Sequence, residues 1–219
     1  TRLIIEHNLF SGTAILYQFN TLRLNNDRIY FGELDVSFNN LSGVVPNYTS
    51  LFHLGTPAST NWTRRFELYI NNNNFEFGHF ENQHSNYVLA TNTYVPTTFT
   101  TPVMSNYWYA PQAKVNTIDT INANAGDPIT LTTVVSGAQN HYVWFKDGIQ
   151  ISNAPDSPNY VINSVNPCNQ GVYYCEILSD LVPFENTNPP GTQGKNLKLT
   201  RNDITLNVAL ATNSCPTLT

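Results

Sequence analysis

The residues best suited to metal or nucleophilic chemistry are five histidines and three cysteines, and the sequence keeps them apart. The histidines stand at 7, 53, 79, 84 and 141. Only His79 and His84 are neighbours, with Glu81 between them. Their H-x-x-x-x-H spacing is not the i, i+4 pair that aligns two imidazoles on one helix face, and the local composition predicts no helix there, so a zinc site is not expected. Cys168, Cys175 and Cys215 form no C-x-x-C pair and are too few for a disulfide scaffold. No G-x-S-x-G, phosphate loop or dinucleotide glycine pattern occurs. Asp and Glu are dispersed, with no close pair to divide acid and base roles. Asn25, Asn26 and Asp27, or the run Asn71 to Asn74, offer oxygens to calcium, but such sites usually hold more carboxylates. No cofactor is implied, and the reading is non-catalytic.

The elements that must carry these residues are strands. Charged residues make up only 11% of the chain, while Asn alone occurs 31 times, a balance unlike that of long amphipathic helices built on Glu, Lys and Ala. The 41% hydrophobic fraction is enough for a core and excludes disorder. No apolar run approaches a membrane span of ~18 residues. The net charge of −5, with Lys and Arg scattered, speaks against nucleic acid as a partner. The first residues show neither an initiator Met nor a signal peptide, so the chain is read as an internal piece of a longer protein.

Before about residue 115 one pattern recurs: L-x-L-x-x-N-x-Φ, with Φ apolar. The copies are LIIEHNLFSG from Leu3, LRLNNDRIYFG from Leu22 (Asp27 replacing the Asn), LDVSFNNLSGVVP from Leu34 and LYINNNNFEF from Leu68. Two alternating apolar residues turn a short strand inward, the Asn bends the chain and its amide satisfies backbone groups of the next coil, and stacked copies share one core. This resembles a leucine-rich repeat solenoid, LSGVVP in particular matching the plant-like and bacterial coil. The anchors at 8, 27, 39 and 73 give steps of 19, 12 and 34 residues. Twelve is too short for a coil of ~20–29 residues, which suggests residues missing between Phe31 and Leu34 or one aberrant coil. LFHLGTPASTNWTRR reads as an insertion on the convex side. After Phe77 the pattern stops, and the aromatic-rich stretch to Lys114 is read as an end cap.

From residue 116 to 210, about seven short strands alternate with turns, as in a sandwich. Trp144 lies in YVWFKDG, and NQGVYYC carries Gly171, Tyr173 and Cys175. These motifs resemble those of an immunoglobulin-like domain of secreted bacterial surface proteins. The resemblance implies a corner tyrosine at Tyr173 and a core of Ile129, Leu131, Trp144, Tyr173, Ile204 and Leu206. It also puts Thr133 where the first core cysteine belongs, so Cys175 is expected as a buried free thiol. It further implies a Cys168–Cys215 bridge between the E–F corner and the tail, residues 211–219. Asp119-Thr120-Ile121 resembles a bacterial O-glycosylation acceptor at Thr120, expected in an exposed linker. The sequons at Asn40, Asn47 and Asn61 are read as chance.

The fold expected is therefore mostly β: the C-terminal part of a leucine-rich repeat solenoid with its cap (1–115), then an immunoglobulin-like sandwich. Two surfaces lean toward binding. One is the long F–G connection, with Phe184, Asn186, Pro189 and Pro190. The other is the concave strand face, with Asp35, Ser37, Glu67 and Tyr69 expected exposed. The implied role is recognition or adhesion at a bacterial cell surface, outside the outer membrane, with a protein or carbohydrate ligand and no membrane insertion by this stretch. Two alternatives stay open: a spacer or component of a larger surface complex, and an accessory region of an enzyme whose catalytic domain lies elsewhere.

Overall fold

The computed structural model describes residues 2–13, 33–47, 66–92, 104–183 and 196–209. The chain divides into two compact units. The first is Thr1–Ala113 with Ser136–Ala138 and Leu181–Leu197; the second is Lys114–Val135, Gln139–Asp180 and Lys198–Thr219.

In the first unit, β1 (Arg2–Ile4), β3 (Glu33–Asp35), β5 (Phe66–Tyr69) and β6 (Met104–Trp108) form a parallel sheet in that order. Beside it, β2 (Ser11–Gly12) pairs in parallel with β4 (Asn40–Leu41). Two helices, α1 (Phe77–Phe80) and α2 (His84–Asn92), precede β6. Strand alternation sends Leu34, Leu68 and Tyr107 to one side, where they are buried with Val36, Ile70 and Tyr109. Phe75, Phe77, Phe80 and Tyr87 complete this core. Its rings meet in offset or edge contacts, Tyr107 to Tyr109 at 4.7 Å and Phe75 to Phe80 at 5.6 Å.

The bends are held by a ladder of side-chain amides. Asn8 donates to the Ile5 and Glu6 carbonyls of its own coil. Asn39 donates to Val36 and Ser37 in its own coil and to Ile5 in the coil before, and its oxygen accepts the Phe10 N–H. Asn73 repeats this one coil on, donating to Ile70, Asn71 and Val36 and accepting from Leu41. Gln112 closes the series: it donates to Tyr109 and Ile70 and accepts from Asn73 and Phe75. A primary amide suits this position because it offers two donors and an acceptor in one plane.

Three expectations change here. Within the stretch read as a cap after Phe77, β6 joins the sheet beside β5, and the Gln112 amide bonds there as Asn39 and Asn73 do in their coils. β1 pairs directly with β3, so the step from Asn8 to Asn39 is 31 residues (39 − 8), comparable with the 34 to Asn73 (73 − 39) and the 39 to Gln112 (112 − 73). A coil anchored at Asp27 is therefore not needed in the sheet, and the short step that suggested residues missing before Leu34 disappears. Asp27, residues 31–32 and the insertion 51–65 lie outside the described residues. Finally, His84 sits on a helix although HSNYVLATN has weak helical preference; burial of His84 and Tyr87, three residues apart on one face, outweighs the propensity of the isolated segment.

In the second unit, β7 (Asp119–Asn124), β9 (Asn140–Lys146), β10 (Ile149–Gln150), β12 (Gly171–Ser179) and β14 (Ile204–Ala209) form one sheet in the order β10-β9-β12-β14-β7, with β13 (Leu199–Thr200) also on β12. The second layer pairs β8 (Ile129–Thr132) with β11 (Asn159–Ile162). Trp144 is buried and donates to the Ser157 carbonyl at 2.9 Å, and the Tyr173 hydroxyl donates to the Asn169 carbonyl at 2.6 Å. Leu131, Tyr173, Ile204 and Leu206 are buried, whereas Ile129 is only half-buried. The strand β7 escapes the sequence because DTINAN is mostly polar; it is an edge strand running parallel to β14, and Ala123 is its one buried residue.

Candidate functional site

The outward side of the parallel sheet is where the candidate residues meet. Register places Arg2, Glu33, Glu67 and Asn106 in one row and Ile4, Asp35, Tyr69 and Trp108 in the next. The Tyr69 hydroxyl donates to Glu67 Oε2 at 2.9 Å, and Asn106 Nδ2 donates to that hydroxyl at 3.2 Å. Tyr69 and Trp108 meet edge to face at 5.6 Å. Partial burial, reinforced by the Glu67 carboxylate, pushes the Tyr69 phenol up to about 12. It therefore stays a neutral donor across the physiological range.

Asp35, Glu67 and Tyr69 are half-buried rather than exposed, and Ser37 is only 3% exposed. The correction at Ser37 has a local cause. Asp35 Oδ1 takes both the Ser37 hydroxyl at 2.6 Å and its N–H at 2.9 Å, folding that side chain into the bend. Asn106 and Trp108 were missed. The signal is present in SNYWYAPQ: Tyr107 and Tyr109 occupy the two inward positions, and Gln112 follows three residues later as Asn73 follows Ile70. An aromatic pair in place of Leu-x-Leu, and Gln in place of Asn, hid the match.

Among the described residues, no group of three or more His, Cys, Asp or Glu is placed to hold a metal ion. His79 Nδ1 accepts the Glu76 N–H, and burial lowers its pKa. His84 lies against Tyr107 and Tyr109, its Nδ1 3.5 Å from the Tyr107 hydroxyl, and burial drops its pKa to about 4. His84 is buried in the core and His79 is half-buried, and in both burial favours the neutral ring.

In the second unit, Thr120 lies exposed on β7, not in a linker, opposite Thr205. Cys175 is a buried free thiol with its pKa pushed up to about 12 by burial. The buried Thr133 hydroxyl faces that thiol without ordinary hydrogen-bond geometry. Cys168 sits in an exposed 3-10 turn (Pro167–Asn169) and is disulfide-bonded; Cys215 lies outside the described residues. Phe184, Asn186, Pro189 and Pro190 lie outside them too. Arg201 is an unforeseen buried charge. It donates to the Thr132, Thr117 and Asn202 carbonyls, which balance a charge that lies 5% exposed.

Two layers, a buried central tryptophan and a corner tyrosine make the second unit an immunoglobulin-like sandwich. No family model matches the chain, and no curated protein matches it. Among solved structures, extracellular domains 3–5 of Drosophila OTK share 14% identity over 41% of this chain and 33% of that one, at a TM-score of 0.31. Immunoglobulin domains 1–4 of Sidekick-1 share 16% over 45% and 22%, at 0.32. The second Ig-C2 domain of human Fc-receptor like A shares 17% over 40% and 84%, at 0.29. The chain thus spans a third or less of the length of the first two. Likeness at these scores carries no argument, and the sandwich rests on its own strand pairing. Among the described residues no helix is long and apolar enough to cross a membrane.

Proposed function

We propose that this chain is a non-catalytic recognition module: the end of a leucine-rich repeat solenoid joined to an immunoglobulin-like domain, working at a cell surface of the bacterial secreted type. The amide ladder and the parallel sheet support the solenoid reading. The observation that carries the binding role is the outward face on which two adjacent rows bring Glu67, Tyr69, Asn106 and Trp108 together. A half-exposed aromatic edge flanked by fixed donors and acceptors suits a protein loop or a sugar ring, each of which presents an apolar face with polar groups around it. The loop bearing Phe184, Asn186, Pro189 and Pro190 is a second contact region in this reading. The reading also includes a Cys168–Cys215 bridge that ties the tail to the sandwich, since Cys175 is free, and Thr120 as an O-glycan acceptor whose exposure meets the first requirement.

The test is binding of the purified chain to a glycan array and to a panel of extracellular proteins, repeated with Trp108→Ala and Tyr69→Ala. Loss of at least tenfold in affinity for the same ligand in both variants is expected. A ligand bound equally by native protein and both variants would remove the sheet face from the proposal.

A further inference from the structure

Both ring nitrogens of His141, on β9, meet a carboxylate, and the two carboxylates come from different parts of the sandwich. Nδ1 lies 2.7 Å from Asp156 Oδ2, in the connection between β10 and β11. Nε2 lies 3.1 Å from Asp180 Oδ2, just past the end of β12. A neutral imidazole carries one N–H and one lone pair, so it serves only one such partner; a carboxylate at each nitrogen requires an N–H at each. The arrangement is therefore that of the imidazolium. The two carboxylates sit at opposite nitrogens of the ring, so the trio does not converge on a point that a metal ion could occupy.

The two contacts are not held equally. Asp156 Oδ1 also accepts the Tyr142 N–H at 2.6 Å, which keeps that carboxylate beside the ring whatever the ring's charge. Asp180 reaches further into water, its side chain 65% exposed. Its backbone N–H donates to the Gln139 carbonyl at 3.1 Å, one step past Asn140 and Ser179, the last register pair of β9 with β12. The register partner of His141 on β12 is the apolar Leu178. The next charge along that strand, Glu176, lies opposite Val143 and is paired with Lys198 at 2.6 Å. Asp156 and Asp180 thus govern the ring, and their hydrogen bonds and charge raise its pKa.

We propose that His141 is a proton-operated clasp that holds the end of β12 while its ring is charged and releases it when the ring is neutral. Loss of the proton leaves the Nδ1–H on Asp156, the better fixed acceptor, and turns an Nε2 lone pair toward the Asp180 carboxylate, which repels it. Asp180 then swings into water, and the Gln139–Asp180 backbone bond becomes the unguarded end of the β9–β12 ladder. The sign follows from the direction of the shift. The clasp is closed below the ordinary histidine value and opens as pH rises through the folded value, which lies above it. Exposed ion pairs contribute little, so the change is a loosening of a strand end rather than unfolding. The clasp requires no ligand at either surface of the proposed recognition module.

The test is NMR of the full 219-residue chain from about pH 5 to about pH 9. The readouts are the nitrogen shifts of the His141 ring and the protection factor of the Asp180 amide, corrected for the intrinsic pH dependence of exchange. Above the transition the neutral ring should carry its proton on Nδ1. Protection of the Asp180 amide should fall there by about two- to fivefold, the range of an exposed ion pair. His141→Ala should hold that protection at the lower level at every pH, and Asp180→Asn should lower the pH at which the ring titrates. Both positions are on the surface, so unchanged circular dichroism of the variants is expected. A neutral ring protonated on Nε2 overturns the proposal. So does protection that is equal on both sides of the transition, or a pH response of that amide that survives His141→Ala.

Discussion

Replacing Asn73 by Ala tests the amide ladder directly. Asn73 is 1% exposed and its side chain makes four hydrogen bonds. Its three carbonyl partners each keep another donor: Val36 keeps Asn39, Ile70 keeps Gln112 and Asn71 keeps the Phe38 N–H. The Leu41 N–H loses the oxygen that it meets at 3.0 Å. One buried donor left unsatisfied costs about 1–3 kcal/mol, and the small void adds to this, so a loss of about 2–4 kcal/mol is expected. Asn8→Ala removes a chemically similar side chain, but at an exposed bend where water replaces it, and should cost under about 1 kcal/mol. Asn73→Asp keeps the oxygen for Leu41 but turns an acceptor toward three carbonyls. Its defect should exceed that of Ala at neutral pH and shrink in acid, where protonation restores a donor. The assay is urea unfolding of each variant, with hydrogen exchange at the Leu41 amide as the local reporter. Equal losses for Asn73→Ala and Asn8→Ala, or a Leu41 amide equally protected in all, would refute the idea that the amides seal one coil to the next.

Other outcomes follow from the same structure. The unfolded chain protonates His84 near pH 6.5 and the folded chain only near 4, so the unfolded state binds more protons between those values and the first unit loses stability as pH falls through that window. Burial of the neutral ring predicts about 3 kcal/mol over the window, and His84→Gln should flatten that part of a stability–pH profile. Gly171 has φ +152, and a Cβ there would lie 2.6 Å from the Asp147 carboxylate, which itself accepts the Val172 N–H; Gly171→Ala should lower the unfolding midpoint of the sandwich, and an unchanged midpoint would contradict the packing. Peptide mapping without reduction should recover Cys168 and Cys215 in one linked fragment, with Cys175 alkylated only after unfolding; a linked Cys175 would sink the bridge as drawn. His141 lies between Asp156 at 2.7 Å and Asp180 at 3.1 Å, which raise its pKa. Their contribution is present below the unfolded pKa and fades as pH rises through the folded one, so NMR titration should show His141 protonating at higher pH than in Asp156→Asn.

What the sequence determined by itself is the local grammar. Period-two apolar residues at Leu34 and Val36, or Leu68 and Ile70, followed three positions later by an Asn, dictate an inward strand and a bend whatever surrounds them, because the pleat and the amide inventory are properties of the chain. The same holds for Trp144 and for Tyr173 with its hydroxyl on Asn169. What only tertiary structure decided is which pieces become neighbours. Direct pairing of β1 with β3 fixes the coil length that spacing alone misjudged. Tyr107, Tyr109 and Gln112 become a coil only because β5 offers an edge and α2 a lid of aromatic rings. The strand β7 exists because β14 supplies its ladder, since DTINAN carries almost no apolar drive of its own. The outward pairs Glu67–Asn106 and Tyr69–Trp108 join residues almost 40 positions apart through register, and register is fixed by pairing rather than by any one segment's sequence.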